Sequence, residues 1–235
     1  MKIHPFQYAI GNGSVLRNEE EIDLNAFSCI GILGPVGSGK SQFIKLLADS
    51  GLRSIGAFSE YPFCAYLSQD LTRLFTGNTP SSILELYRDT RYDIGRHFDA
   101  GIFASACAEL QIDELIAKNR RLAHYSEGER QRLGICLASA VRASVTILDE
   151  PTTALDTRCR QTLFAMIAGM RKRTKVFVIS HRLPDLLAVC DYVIRMEHCR
   201  IAEHFPVELI IEKSHILSYY SLQNGKNDVR KNYKR

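Results

Sequence analysis

The residues best equipped for chemistry lie in the run Gly34-Pro35-Val36-Gly37-Ser38-Gly39-Lys40-Ser41, a complete G-x-x-x-x-G-K-[ST] pattern. Its glycines let the backbone curl until successive N–H groups face one point, at the positive end of a helix dipole. The Lys40 ammonium suits the β- and γ-phosphates of a nucleotide, and the Ser41 hydroxyl suits a magnesium ion. Such a run predicts a nucleoside triphosphate site only where a strand precedes it and a helix follows. Both signals are present. Residues 27–33 are short and mostly apolar, as a strand buried on both faces should be. Downstream, Phe43, Ile44, Leu46 and Leu47 recur at helical spacing.

Three further groups of residues could complete a reaction site. The apolar run Val145-Thr146-Ile147-Leu148 ends in Asp149 and Glu150. A buried strand carries such carboxylates to the C-terminal edge of its sheet, where the phosphate loop also lies. Asp149 suits a magnesium ion, directly or through water, and Glu150 can polarise an attacking water. Taken alone, the same run also describes a strand that leaves the core for solvent. Ser126-Glu127-Gly128-Glu129-Arg130-Gln131-Arg132 reads as a helix start followed by a charged turn, in isolation an ordinary cap. His181 directly follows the β-rich run ending Ile179-Ser180, where a lone histidine reads first as a capping or core residue.

The elements that must position these residues follow from periodicity. Residues 3–33 hold short β-like runs broken by Gly11-Asn12-Gly13, and residues 54–58 and 63–67 are expected strands leading to Gln69. From residue 79 to about 121 the pattern turns helical. A helix start is expected at Ser81-Ser82-Ile83-Leu84-Glu85, and Phe98, Ile102, Ala106 and Leu110 mark one face. Strands at 145–148 and 175–179, separated by a helix around 157–171, imply a parallel sheet. There is no internal repeat and no low-complexity linker.

Composition sets the outer bounds. A chain of 235 residues, 46% of them apolar, is one large domain or a core with one inserted lobe. No apolar stretch approaches the ~18 residues of a membrane span, and residues 1–8 lack the apolar core of a signal peptide. The seven cysteines are scattered without a C-x-x-C pair, which favours buried, reduced thiols in a cytosolic protein over disulfides or zinc. Residues 226–235 carry five basic side chains and one acid, which accounts for the whole net charge of +4. That tail reads as a solvated terminus, with contact to anionic lipid or RNA as the sharper alternative.

In order and spacing these residues resemble the ATP-binding cassette (ABC) ATPase family, from Tyr8 to about Glu203. Gly34 to Ser41 matches the family's Walker A motif, and Gln69 in Tyr66-Leu67-Ser68-Gln69 matches its Q-loop glutamine. Ser126 to Arg132 resembles the signature LSGGQ with its Gln-Arg extension. Residues 145–150 match Walker B with its catalytic glutamate, Thr153-Ala154-Leu155-Asp156 matches the D-loop, and His181 falls where the switch histidine lies. The resemblance implies an α/β fold: a P-loop NTPase core with an antiparallel β-lobe and an inserted helical subdomain at about 79–125. Residues 1–222 would form one ATPase domain, and 223–235 a basic, disordered tail.

It further implies a head-to-tail dimer that sandwiches two ATP molecules with Mg²⁺. Nucleotide would be held by Gly34, Gly37, Ser38, Gly39, Lys40, Ser41 and Gln42, with Tyr8 stacking on adenine and Phe6 as a weaker candidate. The other subunit's Ser126 and Gly128 would close each site, and Asp156 would couple the two. Ser41, Gln69 and Asp149 would hold the metal, Glu150 would act as general base, and His181 would orient the γ-phosphate and the water. The implied partners are a polytopic membrane subunit and a second ATPase chain, identical or paralogous, at the cytoplasmic face of a membrane. A transporter motor is the leading reading. A soluble ABC ATPase acting on nucleic acid or ribosomes is the runner-up, and a non-hydrolysing regulatory cassette the third.

Two departures from the family pattern stand out. Glu127 replaces the first signature glycine, and it is expected to face away from the phosphates. Only about 28 residues separate Lys40 from Gln69, so the β-lobe is expected to be trimmed. Residues 69–75 also resemble the post-Q-loop stretch of energy-coupling-factor importers.

Overall fold

The computed structural model describes residues 1–11, 13–71 and 78–212, the last three of these by backbone alone. The chain opens with β1 (Lys2–Ile3), β2 (Phe6–Ala9), β3 (Val15–Asn18), β4 (Ile22–Asp23) and β5 (Cys29–Leu33). Next come α1 (Lys40–Ala48), β6 (Cys64–Leu67), α2 (Pro80–Arg88), α3 (Asp93–His97), α4 (Ala100–Glu109) and α5 (Asp113–Lys118). The second half holds α6 (Glu127–Ala140), β7 (Val145–Asp149), α7 (Thr157–Met170), β8 (Lys175–Ser180), α8 (Leu183–Val189), β9 (Tyr192–Glu197) and β10 (Arg200–Pro206). Eight strands form one mixed sheet in the order β2-β3-β10-β9-β5-β8-β7-β6. From β9 through β5, β8 and β7 to β6 all neighbours run parallel. At the opposite end β2 pairs antiparallel with β3 and β9 with β10, β3 and β10 meet through one parallel pairing of Arg17 with Arg200, and β1 and β4 pair separately. The expected parallel core and short antiparallel lobe are therefore both present.

The parallel strands are buried on both faces, and their side chains sort by the two-residue period of a pleated strand. Ile30, Ile32, Ile147, Phe177, Ile179 and Ile194 point to one core, with Phe43, Ile44, Leu46 and Leu47 of α1 packed on them. Cys29, Leu33, Leu148, Val176, Val178 and Val193 point to the other, covered by residues of α4, α6, α7 and α8. Each fully buried Leu, Ile or Phe contributes roughly 1.5–3 kcal/mol, so this two-sided core fixes the register of the strands whose ends carry the site. Among the described residues no helix is long and apolar enough to cross a membrane.

Three local expectations change. Residues 54–58 are not a strand: Ser50–Ile55 form a 3₁₀ turn that ends at Gly56 with φ 68°, and Phe58 makes only an isolated bridge to Ile3. The Asp49 carboxylate accepts from the Gly51 N–H at 2.8 Å, so turn chemistry outweighs the β-propensity of Ile55 and Phe58. The helix expected from Ser81 starts earlier, at Pro80, with Thr79 as its cap. The Ser82 N–H donates to the Thr79 hydroxyl and the Thr79 N–H to the Ser82 hydroxyl, a reciprocal box that leaves proline in the first turn. Phe98 does not share a helix with Ile102. Asp99 caps a new helix there, accepting from the Gly101 and Ile102 N–H groups. Residues 72–75 of the importer-like stretch, and the tail at 223–235, lie outside the described residues.

Candidate active site

The phosphate loop starts where β5 ends and closes into α1. A side chain at Gly34 would sit 2.4 Å from the Met196 carbonyl oxygen and 2.6 Å from the Ser38 hydroxyl, so only glycine admits this approach of loop to β9. Gly39 caps α1 with φ 93°, the left-handed region that favours glycine. The Lys40 ammonium donates to the carbonyls of Gly34 at 2.8 Å and Pro35 at 2.9 Å, folding back over the loop. Burial pulls its pKa down, and the charges of Glu150 and Asp149 oppose that shift. The turn between β9 and β10 braces the loop from outside. The Cys199 N–H donates to the Ser38 carbonyl at 3.2 Å, and the Arg17 N–H donates to the Cys199 carbonyl at 3.0 Å.

Asp149 ends β7, between β6 and β8 in the sheet and at the edge that carries the loop. Burial pushes its pKa up. The Ser41 and Tyr66 hydroxyls pull it down, Glu150 pushes it up, and Lys40 pulls it down. The Tyr66 hydroxyl donates to Oδ2 at 3.1 Å, while burial and the Asp149 charge push its own pKa up and keep it a donor. Oδ1 of Asp149 is buried without a hydrogen-bond partner among the described residues, as are Oε2 of Glu150 and Oγ of Ser38. An orphaned carboxylate oxygen beside a hydroxyl is the donor chemistry of a hard cation that keeps waters and takes phosphate oxygens. Among the described residues no group of three or more His, Cys, Asp or Glu is placed to hold a metal ion by itself, so a cation here would draw on the nucleotide as well. Gln69 lies exposed just beyond β6, the strand next to β7.

Glu150 adopts φ 49°, a conformation that costs an L-residue roughly 1–3 kcal/mol. Its N–H donates to the Ile179 carbonyl at 2.9 Å. Its Oε1 accepts from the His181 N–H at 3.0 Å and faces His181 Nδ1 at 2.9 Å. The Glu150 side chain is 8% exposed and that of His181 45%, so the pair presents a sheltered carboxylate behind a solvent-facing ring. Phosphate loop, Asp149, Glu150 and His181 thus converge on one sheet edge. Together they offer anion-binding N–H groups, a cation ligand and a base.

A second group lies at two helix starts, Ser126 and Gly128 at α6 and Asp156 at α7, with Gly128 against Ala154. Ser126 caps α6 in a reciprocal box with Glu129, whose carboxylate accepts from the Ser126 N–H at 2.7 Å. A side chain at Gly128 would lie 2.7 Å from the Ala154 carbonyl oxygen. Asp156 caps α7 by accepting from the Cys159 N–H at 2.8 Å, a bond that holds its carboxyl below the usual range. Glu127 is exposed, as are Gly37 and Gln42. Tyr8 is half-buried on β2, whereas Phe6 is buried and stacked on Phe43 with centroids 6.2 Å apart, which makes Phe6 a core residue. Sequence reasoning missed Tyr66, although it precedes Gln69 by only three positions. It also missed the bond from Gln131 Nε2 to the Pro151 carbonyl at 3.2 Å, which ties α6 to the residue after Glu150.

The family model described as ABC transporter matches residues 18–153. An uncharacterized ABC transporter ATP-binding protein of Bacillus subtilis is 29% identical over 218 residues, covering 83% of this chain and 64% of the relative. The tungstate uptake system ATP-binding protein of Peptoclostridium acidaminophilum is 27% identical, covering 81% of this chain and 92% of its own. A bacterial ABC transporter cassette solved as a dimer superposes with a TM-score of 0.65 at 17% identity, covering 88% of this chain and 98% of that one. With its family model matching more than half of its residues, the chain belongs to the ABC transporter family of ATPases.

Proposed function

We propose that the chain is the ATP-hydrolysing subunit of a membrane transporter of the import type, acting as one half of a head-to-tail ATPase dimer at the cytoplasmic face of the membrane. The observation that carries this reading is the buried Glu150 carboxylate held against His181 beside the phosphate loop. Residues 1–222 serve as the ATPase domain, with residues 79–125 as its helical subdomain. The N–H groups of residues 34–41 and the Lys40 ammonium hold the phosphates, and Gln42 and Tyr8 complete the nucleotide contacts. Ser41, Asp149 and Gln69 hold Mg²⁺, which supplies charge neutralisation to the phosphates when bound. Glu150 accepts the proton of the attacking water, and the His181 ring orients that water and the γ-phosphate.

The second cassette supplies Ser126 and Gly128 to the same γ-phosphate, a helix start suited to an anion. Asp156 links the two sites. The dimeric form of the superposed cassette and the uptake system named for a relative support the pairing and the import direction. The test is purification of the tagged chain from detergent extracts of its native host. A stoichiometric polytopic membrane protein is the expected partner; recovery only with ribosomes, nucleic acid or itself in the soluble fraction would replace this reading.

A further inference from the structure

We propose that Asp185 is a positioning residue for ATP hydrolysis, acting through Thr152 to hold Glu150 against His181. The inference rests on the roles assigned above to Glu150 and His181. Glu150 leaves β7 and His181 leaves β8, so their 2.9 Å contact joins two separate loops. The His181 N–H and Nδ1 both meet the same oxygen, Glu150 Oε1, and the Glu150 N–H only continues the β7–β8 ladder to Ile179, so these contacts grip one side-chain atom and leave the direction of the loop beyond it unset. A second tie joins the same two loops from behind: the Thr152 hydroxyl donates to Asp185 Oδ2 at 2.7 Å. Thr152 follows Glu150 by two residues and Asp185 follows His181 by four, at the start of α8. Gripped at Glu150 Oε1 in front and at Thr152 behind, the two loops are set in angle as well as in distance.

The rear tie is dry and stiff. Thr152 is 2% exposed and Asp185 5%. Arg182 Nε lies 3.5 Å from the same carboxylate oxygen, and the Arg182 N–H donates to the Ser180 hydroxyl at 3.0 Å, so the charge partner is itself anchored to β8. An apolar pair would fill this space without the cost of burying a carboxylate. It would lack a directed bond. The need for direction is visible at Glu150, whose left-handed backbone persists only where its surroundings over-determine it. The Thr153 N–H donates to the Glu150 carbonyl at 3.3 Å, so the segment bearing Thr152 also closes the turn that aims the glutamate.

The test uses the full chain, with steady-state hydrolysis at saturating ATP and Mg²⁺ and nucleotide affinity by calorimetry on the same samples. Thr152→Val and Asp185→Leu, which lacks the acceptor oxygen, are each expected to lower kcat about 10- to 100-fold, the effect of an ångström-scale misplacement, with ATP affinity within about twofold. The double variant should be no slower than the slower single, because both remove one bond. Thr152→Ser, which restores the hydroxyl, should restore turnover. If Asp185→Leu does not fold, Thr152→Val and its rescue by serine carry the test alone. A folded Thr152→Val chain with wild-type kcat overturns the proposal, as does a loss that appears in affinity and not in kcat. Glu150→Gln separates the two readings: wild-type turnover there removes the role of Glu150 and this proposal with it. Slow Glu150→Gln beside fast Thr152→Val removes the proposal alone.

Discussion

Around Asp149 the chain keeps polar atoms buried and without partners, whereas Ser126 has its own polar groups satisfied. Asp149 Oδ1, Glu150 Oε2 and Ser38 Oγ lack hydrogen-bond partners among the described residues, at a cost of roughly 1–3 kcal/mol each. Ser126 sits at the surface with its N–H and hydroxyl both engaged by Glu129. Buried, unsatisfied oxygens cost stability that a ligand can offset, and the ligand chemistry these atoms suit is a cation with phosphates. A self-capped, exposed helix start needs nothing from its own chain and is free to meet another molecule. Under the proposed function the contrast is a division of labour: one region would serve nucleotide, the other contact with a second chain.

The sharpest way to break that contrast is to spoil the exposed region alone. Ser126→Arg is expected to abolish ATP-driven pairing of chains while each chain binds ATP as before; a dimer by light scattering in the presence of ATP would overturn the assignment. A smaller effect comes from the seam between the two regions. Gly128→Ala places a methyl 2.7 Å from the Ala154 carbonyl oxygen and should cost about 1–3 kcal/mol, as overpacking does. In a chain of this size each kcal/mol lowers Tm by about 2–4 °C, so an unchanged unfolding curve would mean that the seam is loose.

The smallest effect sharpens the buried side. Tyr66→Phe removes a hydrogen bond made to the ionised form of Asp149, so the carboxyl must become harder to deprotonate. Cation binding needs the deprotonated acid, so the acid limb of Mg²⁺-dependent hydrolysis is expected to move to higher pH. An unmoved limb would detach Tyr66 from the site.

Much of this was legible in the chain itself. The glycine spacing of residues 34–41, the apolar run before Asp149 and the strand before His181 are local signals, and the sheet places all three at one edge. The reciprocal cap at Ser126 was legible as a helix start for the same reason. What escaped was long-range or conformational. The left-handed Glu150, the Tyr66 bond to Asp149, the Gln131 bond to Pro151 and the Thr152 bond to Asp185 join residues far apart in sequence or depend on a single dihedral. The strand expected at 54–58 failed where an Asp49 turn competed with the β-formers Ile55 and Phe58, a contest that propensity alone does not decide.

The most direct measurement is hydrolysis and ATP affinity in Glu150→Gln, read side by side with the parent chain. The substitution keeps size and removes the basic oxygen beside His181. Turnover is expected to fall at least about 10²-fold, the lower range for loss of a general base, with affinity retained. Turnover close to that of the parent chain would contradict the account at its centre, because the sheltered carboxylate would then not be the base.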